Sequence, residues 1–251
     1  MNDDLIHNSS TNDTAERLAH VVHEGQRTIP EYRPLLICKP KKIESWRIFK
    51  IMAEFIEGFD VIRHYGRAAT FFGSARASLE DKMYVQAEEL AGRLAKKGFA
   101  VITGGSSGIM QAANKGAFEA GGVSVGLNIN LPEVQTYNNY LTDKFGFDHF
   151  FVRKVMLTYA SEVYIYFPGG FGTLDEFFEI VTLVQSKKIR TVPIILFGAS
   201  YWNPLLSFIE KTLFQERTTI DENDMKLYTL VDSVDEAYDY IIENVSCEAV
   251  I

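Results

Sequence analysis

Cysteine is scarce in this chain. Cys38 and Cys247 stand far apart, with neither the density of a disulfide scaffold nor the spacing of a metal site, so a reducing compartment is the simpler expectation. The five histidines (His7, His20, His23, His64 and His149) form no ligand cluster, and no metal or other cofactor is expected. Long apolar runs are also missing. A stretch such as Val192–Phe197 has strand length and is far too short to cross a bilayer, and Met1–Leu5 lacks the basic and apolar parts of a signal peptide. No lysine- or arginine-dense track occurs, Lys39-Pro-Lys-Lys42 being too short, and the formal net charge is -8. That field repels nucleic acid and anionic membrane, so neither is expected as a partner and a cytoplasmic location is expected. Three signatures are absent as well: a P-loop ending in Gly-Lys-Ser/Thr, a Gly-x-Gly-x-x-Gly dinucleotide fingerprint and a Gly-x-Ser-x-Gly elbow. Ordinary ATPase, dehydrogenase and serine-hydrolase readings weaken accordingly.

What is present suits a single α/β domain. The 251 residues are 47% hydrophobic, enough for a substantial core. Residues 1–14 are polar and expected to be disordered, 15–66 to form a helical extension, and 67–246 to form the nucleotide-binding domain. In the extension, Ile48, Ile51, Met52, Phe55, Ile56 and Phe59 fall on one helical stripe. From Ala68 onward, strand and helix patterns alternate. Strands are expected at 69–72, 99–102, 123–127, 162–167 and 191–197, and helices at 79–97, 109–120, 150–159, 174–186, 202–214 and 234–243. Residues 128–147 read as a loop near the sheet edge or the ligand. The fold class is therefore a Rossmann-like, mostly parallel sheet with helices on both faces.

In such a sheet ligands gather at the carboxyl ends of strands. Three small-residue segments lie there: Gly73-Ser-Ala-Arg76, Thr103-Gly-Gly-Ser-Ser-Gly108 and Pro168-Gly-Gly-Phe-Gly-Thr-Leu-Asp-Glu176. Small residues let amides approach an anion, and the following helix adds its positive end. A tight turn explains a lone Gly-Gly pair equally well. Thr173 and Glu176, three residues apart, also fit a capping box. The alternative is that the Glu176 carboxylate faces a bound ligand, its helix position favouring the ionised form. Arg153 and Lys154, near the start of a helix, are poor choices beside its positive end; chance surface placement explains them about as well as a grip on phosphate or sugar hydroxyls.

Together Gly104-Gly-Ser-Ser-Gly-Ile-Met110, Arg153-Lys154 and Pro168–Glu176 resemble the paired motifs of the "Lonely Guy" family, with Phe72-Gly-Ser-Ala-Arg76 matching its first phosphate-side loop. The likeness covers about residues 68–215. Members are cytokinin riboside 5'-monophosphate phosphoribohydrolases, formerly labelled lysine decarboxylases. They cut the N-glycosidic bond of N6-modified AMP, giving free base and ribose 5-phosphate, and many bacterial members resemble AMP nucleosidases. The resemblance implies Arg153 and Glu176 as the catalytic pair. It implies nucleotide contacts from Ser74, Gly104, Gly105, Ser106, Gly108, Met110, Lys154, Gly169, Gly170, Gly172 and Thr173, with Glu179 near the ribose. It also implies a homodimer or an assembly of dimers with sites near the interface. Serine at 106 departs mildly from the family's glycine triplet. The extension, including Glu54-Phe-Ile-Glu-Gly-Phe59, resembles that of longer bacterial members, which leaves the base open between adenine and N6-prenyl adenine. A noncatalytic nucleotide-binding protein is the rival from another class.

Overall fold

The computed structural model describes residues 45–130 and 137–245. The expected disordered segment 1–14 and most of the extension lie outside them. The first described element is helix α1 (Ser45–Ile62), followed by β1 (Ala68–Phe72), α2 (Lys82–Lys96), β2 (Ala100–Thr103), α3 (Ile109–Glu119) and β3 (Ser124–Ile129). Then come β4 (Asp143–Phe147), α4 (Phe150–Tyr159), β5 (Val163–Tyr166), α5 (Phe171–Gln185), β6 (Ile194–Phe197) and α6 (Ala199–Phe208). A π-helical turn (Ile209–Glu216), a 3-10 turn (Glu222–Lys226), β7 (Thr229–Val231) and α7 (Val234–Asn244) complete the described elements.

The seven strands form one sheet in the order β4-β3-β2-β1-β5-β6-β7, and every pairing is parallel. Central strands are buried on both sides, so they read as short apolar runs. Alternate residues serve opposite cores. Ala69, Phe71, Val163, Ile165 and Phe167 pack with α2, α3 and α7, whereas Phe72, Tyr164 and Tyr166 pack with α4, α5 and α6. Tyr164 and Tyr166 are thus core residues: Tyr166 Oη donates to the Glu176 carbonyl and Trp202 Nε1 donates to the Tyr166 carbonyl.

The α2 stripe of Tyr84, Ala87, Leu90, Ala91 and Leu94 is buried as its spacing predicts. On α1 the expected stripe is only partly right. Ile48, Met52 and Ile56 are exposed, and the packed face is Ile51, Phe55, Gly58 and Ile62. That face still has helical spacing, but its small Gly58 carries no hydrophobic signal. Two strands escape apolar periodicity. β4, inside the segment read as a loop, is a half-exposed edge strand with Asp143 and Lys144, and charge is how edges avoid pairing. β7 has only three residues at the other edge. No described helix is long and apolar enough to cross a membrane.

Candidate active site

The strand order reverses between β1 and β5, and the loops leaving these two strands face each other across the switch point. They are joined through one residue. Ser74 donates its amide to the Pro168 carbonyl at 2.9 Å, and the Ser74 carbonyl accepts from Ile109 N, the first amide of α3, at 3.0 Å. All three glycine-rich segments therefore meet at a single seam. Gly108 caps α3 with φ +66, and a side chain there would strike the backbone of Ser74 and Ala75. Its glycine is required by both conformation and space.

Above the seam opens a cavity of about 970 Å³. One side is made by Gly73–Ala77, Asp81, Met83 and Tyr201, and the floor by Pro168–Thr173. Met110, Ile129, Phe150 and Leu157 make an apolar part of the wall, and Arg153 and Glu176 also line the cavity. Tyr201 Oη donates to the Gly169 carbonyl at 2.7 Å and so braces the floor loop. No side-chain pattern marks Tyr201 in the sequence; the clue is topological, a polar residue just beyond the carboxyl end of β6.

The expected capping box on α5 does not form. Helix α5 begins at Phe171 with Gly170 as its N-cap and no side-chain cap. Thr173 is instead the third helical residue, its hydroxyl packed against Gly169. The early start leaves Phe171 and Gly172 without carbonyls four residues back inside the helix, so their amides point from its N-terminus at the cavity floor.

Glu176 is the sixth residue of α5, beyond the first turn, and 5% exposed. Its carboxylate accepts no hydrogen bond among the described residues. Burial pushes its pKa up to about 7, Lys154 and Arg153 opposing and Glu179 and Asp175 adding to the rise. The expectation that helix position keeps this group readily ionised is thus reversed, because desolvation outweighs the dipole beyond the first turn. Arg153, on α4, is half-buried. Desolvation pulls its pKa down, and Glu176 is near enough to oppose that pull. Its Nε has no hydrogen-bond partner among the described residues. Its guanidinium carbon lies 4.8 Å from the centre of the Phe150 ring. A methyl group at Gly104 would come within 3.6 Å of Arg153 Nη1 and 2.8 Å of Met110 Sδ, so that glycine keeps the cavity wall thin.

Of the residues singled out from sequence, Ser74, Gly104, Met110, Arg153, Gly169, Gly170, Gly172, Thr173 and Glu176 line the cavity. Gly105, Ser106, Gly108, Lys154 and Glu179 do not. The Gly105 amide is already used, donating to Thr103 Oγ1 at 2.8 Å. Ser106 is buried, its carbonyl accepting from Asn138 Nδ2 at 3.0 Å. Lys154 is 2.6 Å from Asp175 Oδ2 and 3.1 Å from Glu179 Oε2. Burial lowers the Lys154 pKa, but these carboxylates and Glu176 together hold it above its ordinary value. Among the described residues no group of three or more metal-ligating side chains occurs.

Residues 110–241 match the family described as "possible lysine decarboxylase". A probable cytokinin riboside 5'-monophosphate phosphoribohydrolase of Oryza sativa subsp. japonica is 29% identical over 155 residues, covering 60% of this chain and 62% of the rice protein. The match thus spans less than two thirds of that relative. A cytokinin riboside 5'-monophosphate phosphoribohydrolase of Rhodococcoides fascians is 28% identical over 150 residues, covering 57% of this chain and 74% of that one. The molybdenum cofactor carrier protein of Chlamydomonas reinhardtii, with a TM-score of 0.52 and 24% identity over 71% of this chain and 97% of its own, shares the fold. The family match covers more than half of the chain, and its motifs meet in one cavity at the switch point: the chain belongs to the Lonely Guy family, formerly labelled lysine decarboxylases.

Proposed function

We propose that this protein is a phosphoribohydrolase acting on purine nucleoside 5'-monophosphates, AMP included, and releasing free base and ribose 5-phosphate. The observation that carries this reading is the buried Glu176 carboxyl, with a pKa near 7 and no hydrogen-bond partner among the described residues, beside Arg153 in one cavity. The phosphate lies over the floor amides of Gly170, Phe171 and Gly172, with Ser74 and Thr173 offering hydroxyls. The base lies toward Met110, Ile129, Phe150 and Leu157. As the C1'–N9 bond breaks, its electron pair leaves with the purine and positive charge develops on the ribose. The Glu176 carboxylate stabilises that charge and takes a proton from the water whose oxygen bonds to C1'; that proton then passes through solvent to the purine anion, giving the neutral base and restoring the carboxylate. A base with a pKa near the working pH suits this transfer. Arg153 holds the phosphoribosyl group and offsets the charge on the departing base. Lys154, Glu179 and Asp175 act one step away, through the charge around Glu176.

A second reading, preference for an N6-prenylated base, is favoured by the apolar wall and by the activities named for the relatives. The deciding experiment incubates the protein with AMP and N6-isopentenyl-AMP and quantifies base and ribose 5-phosphate. Comparable turnover of AMP supports the first reading, and a much higher kcat/KM for the modified nucleotide supports the second. Nucleotide binding without release of either product defeats both and leaves a binding protein.

A further inference from the structure

The segment Glu54–Phe59 of α1 contributes nothing to the cavity walls, yet it is bound closely to the helix that carries Arg153. The Glu54 carboxylate accepts from the Asp148 amide and from the His149 amide, the latter at 3.2 Å through Oε2, which also lies 2.8 Å from His149 Nδ1. Phe55 and Phe151 have ring centroids 6.4 Å apart, and Phe59 and Tyr159 are 6.0 Å apart. At Gly58 a methyl group would come within 2.7 Å of Met156 Sδ and 3.1 Å of Phe147. The pairs 54/149, 55/151, 58/156 and 59/159 advance together, so α1 runs beside α4 in the same direction.

Helix α4 needs such a neighbour. Its N-cap is His149, without a side-chain capping bond, and its first turn holds no acid. Its early amides require acceptors, and Arg153 and Lys154 bring positive charge to a positive helix end. Glu54 supplies an acceptor and a negative charge from 95 residues away. Arg153 in turn depends on its helix. Its Nε has no partner among the described residues, and the ring against its guanidinium, Phe150, belongs to the first residue of the same helix. The backbone of the α4 first turn therefore sets where the guanidinium enters the cavity.

We infer that Glu54 is a positioning residue for Arg153, capping α4 from outside and fixing the guanidinium in its working direction. This rests on the hydrolysis proposed above, and the test separates the two. Glu54→Ala and Glu54→Gln are made in the wild-type and Arg153→Ala backgrounds, with folding checked by circular dichroism and thermal melts. AMP hydrolysis (kcat and KM) and AMP affinity by calorimetry are measured for each. In the wild-type background Glu54→Ala is expected to lower kcat/KM at least tenfold, with partial rescue in Glu54→Gln, which keeps a carbonyl acceptor. In the Arg153→Ala background Glu54→Ala changes kcat/KM or AMP affinity less than twofold, because the group it positions is gone. Equal losses in both backgrounds, or no loss in a folded Glu54→Ala protein, overturn the inference. Should Glu54→Ala unfold, Glu54→Gln carries the same cycle. Should the wild-type protein bind AMP but release no ribose 5-phosphate, the hydrolysis reading fails. The cycle is then read on AMP affinity alone, where additive losses or an unchanged Kd reject the positioning role.

Discussion

Glu176 has to be ionised to do the chemistry proposed for it, in surroundings that resist ionisation. Its folded-state pKa near 7 exceeds the ordinary 4.5, so the folded protein holds this proton more tightly than the unfolded chain. The stabilising contribution is complete below about pH 4.5 and is lost as pH rises through 7. Above that, the ionised carboxylate costs about 3 kcal/mol relative to the protonated form. Glu176→Gln, which never ionises, is expected to raise the melting temperature at pH 8 and to change it far less at pH 5. Paired thermal melts check this, and an equal shift at both values refutes it. The same substitution should lower kcat by about 10²–10⁴-fold. In the wild-type protein kcat/KM for AMP should fall as pH drops below about 7, and the residual rate of Glu176→Gln should lack that inflection. A flat wild-type profile would remove the carboxylate from the mechanism.

Two helix starts that look alike in sequence differ in their caps. Ser233 accepts from Glu236 N at 3.2 Å, and the Glu236 carboxylate returns to Ser233 N, a complete capping box on α7. Ser233→Ala should therefore cost about 1 kcal/mol in urea denaturation. Thr173 has the same spacing to Glu176 but caps nothing, so Thr173→Val, nearly isosteric and without a hydroxyl, should show no loss of α5 capping. A cap-sized loss in that variant would contradict the assignment of the helix start. At Gly58 a larger residue must displace Met156 and Phe147, and Gly58→Val should destabilise the fold by about 1–3 kcal/mol. These contrasts show what could be read in advance. The buried periodicity of α2 and the three glycine-rich loops were legible because they combine spacing with composition. The contact face of α1 was not, because Gly58 marks it by the absence of a side chain. The ionisation of Glu176 was not either, because burial by distant segments leaves no trace in local sequence. Nine of the residues named from the motifs line the cavity, while Gly105 and Lys154 do not, their hydrogen bonds being spent on Thr103 and on Asp175.

Among the described residues, the exposed large apolar side chains are concentrated on α1 and α4. Trp46, Phe49, Ile56, Phe150 and Phe151 are all at least 49% exposed, which is more than scattered surface hydrophobicity. The family resemblance implies a homodimer, and this surface is where its subunits are expected to pack. Light scattering after gel filtration should give twice the chain mass of 28.4 kDa, and Phe49→Glu should shift the protein toward monomer. A monomeric wild-type protein would reject the dimer. The seam at Ser74 divides the molecule's tasks. One serine joins the central strand to the loops on either side through its own amide and carbonyl, so parting the two halves of the sheet would break both of these bonds. The apolar wall, by contrast, is borne by three elements, Ile129 on β3, Met110 on α3, and Phe150 and Leu157 on α4. On the proposed reading, the nucleobase end can therefore be retailored at Ile129, Met110 and Leu157, whereas Phe150 is tied to the Arg153 guanidinium 4.8 Å away.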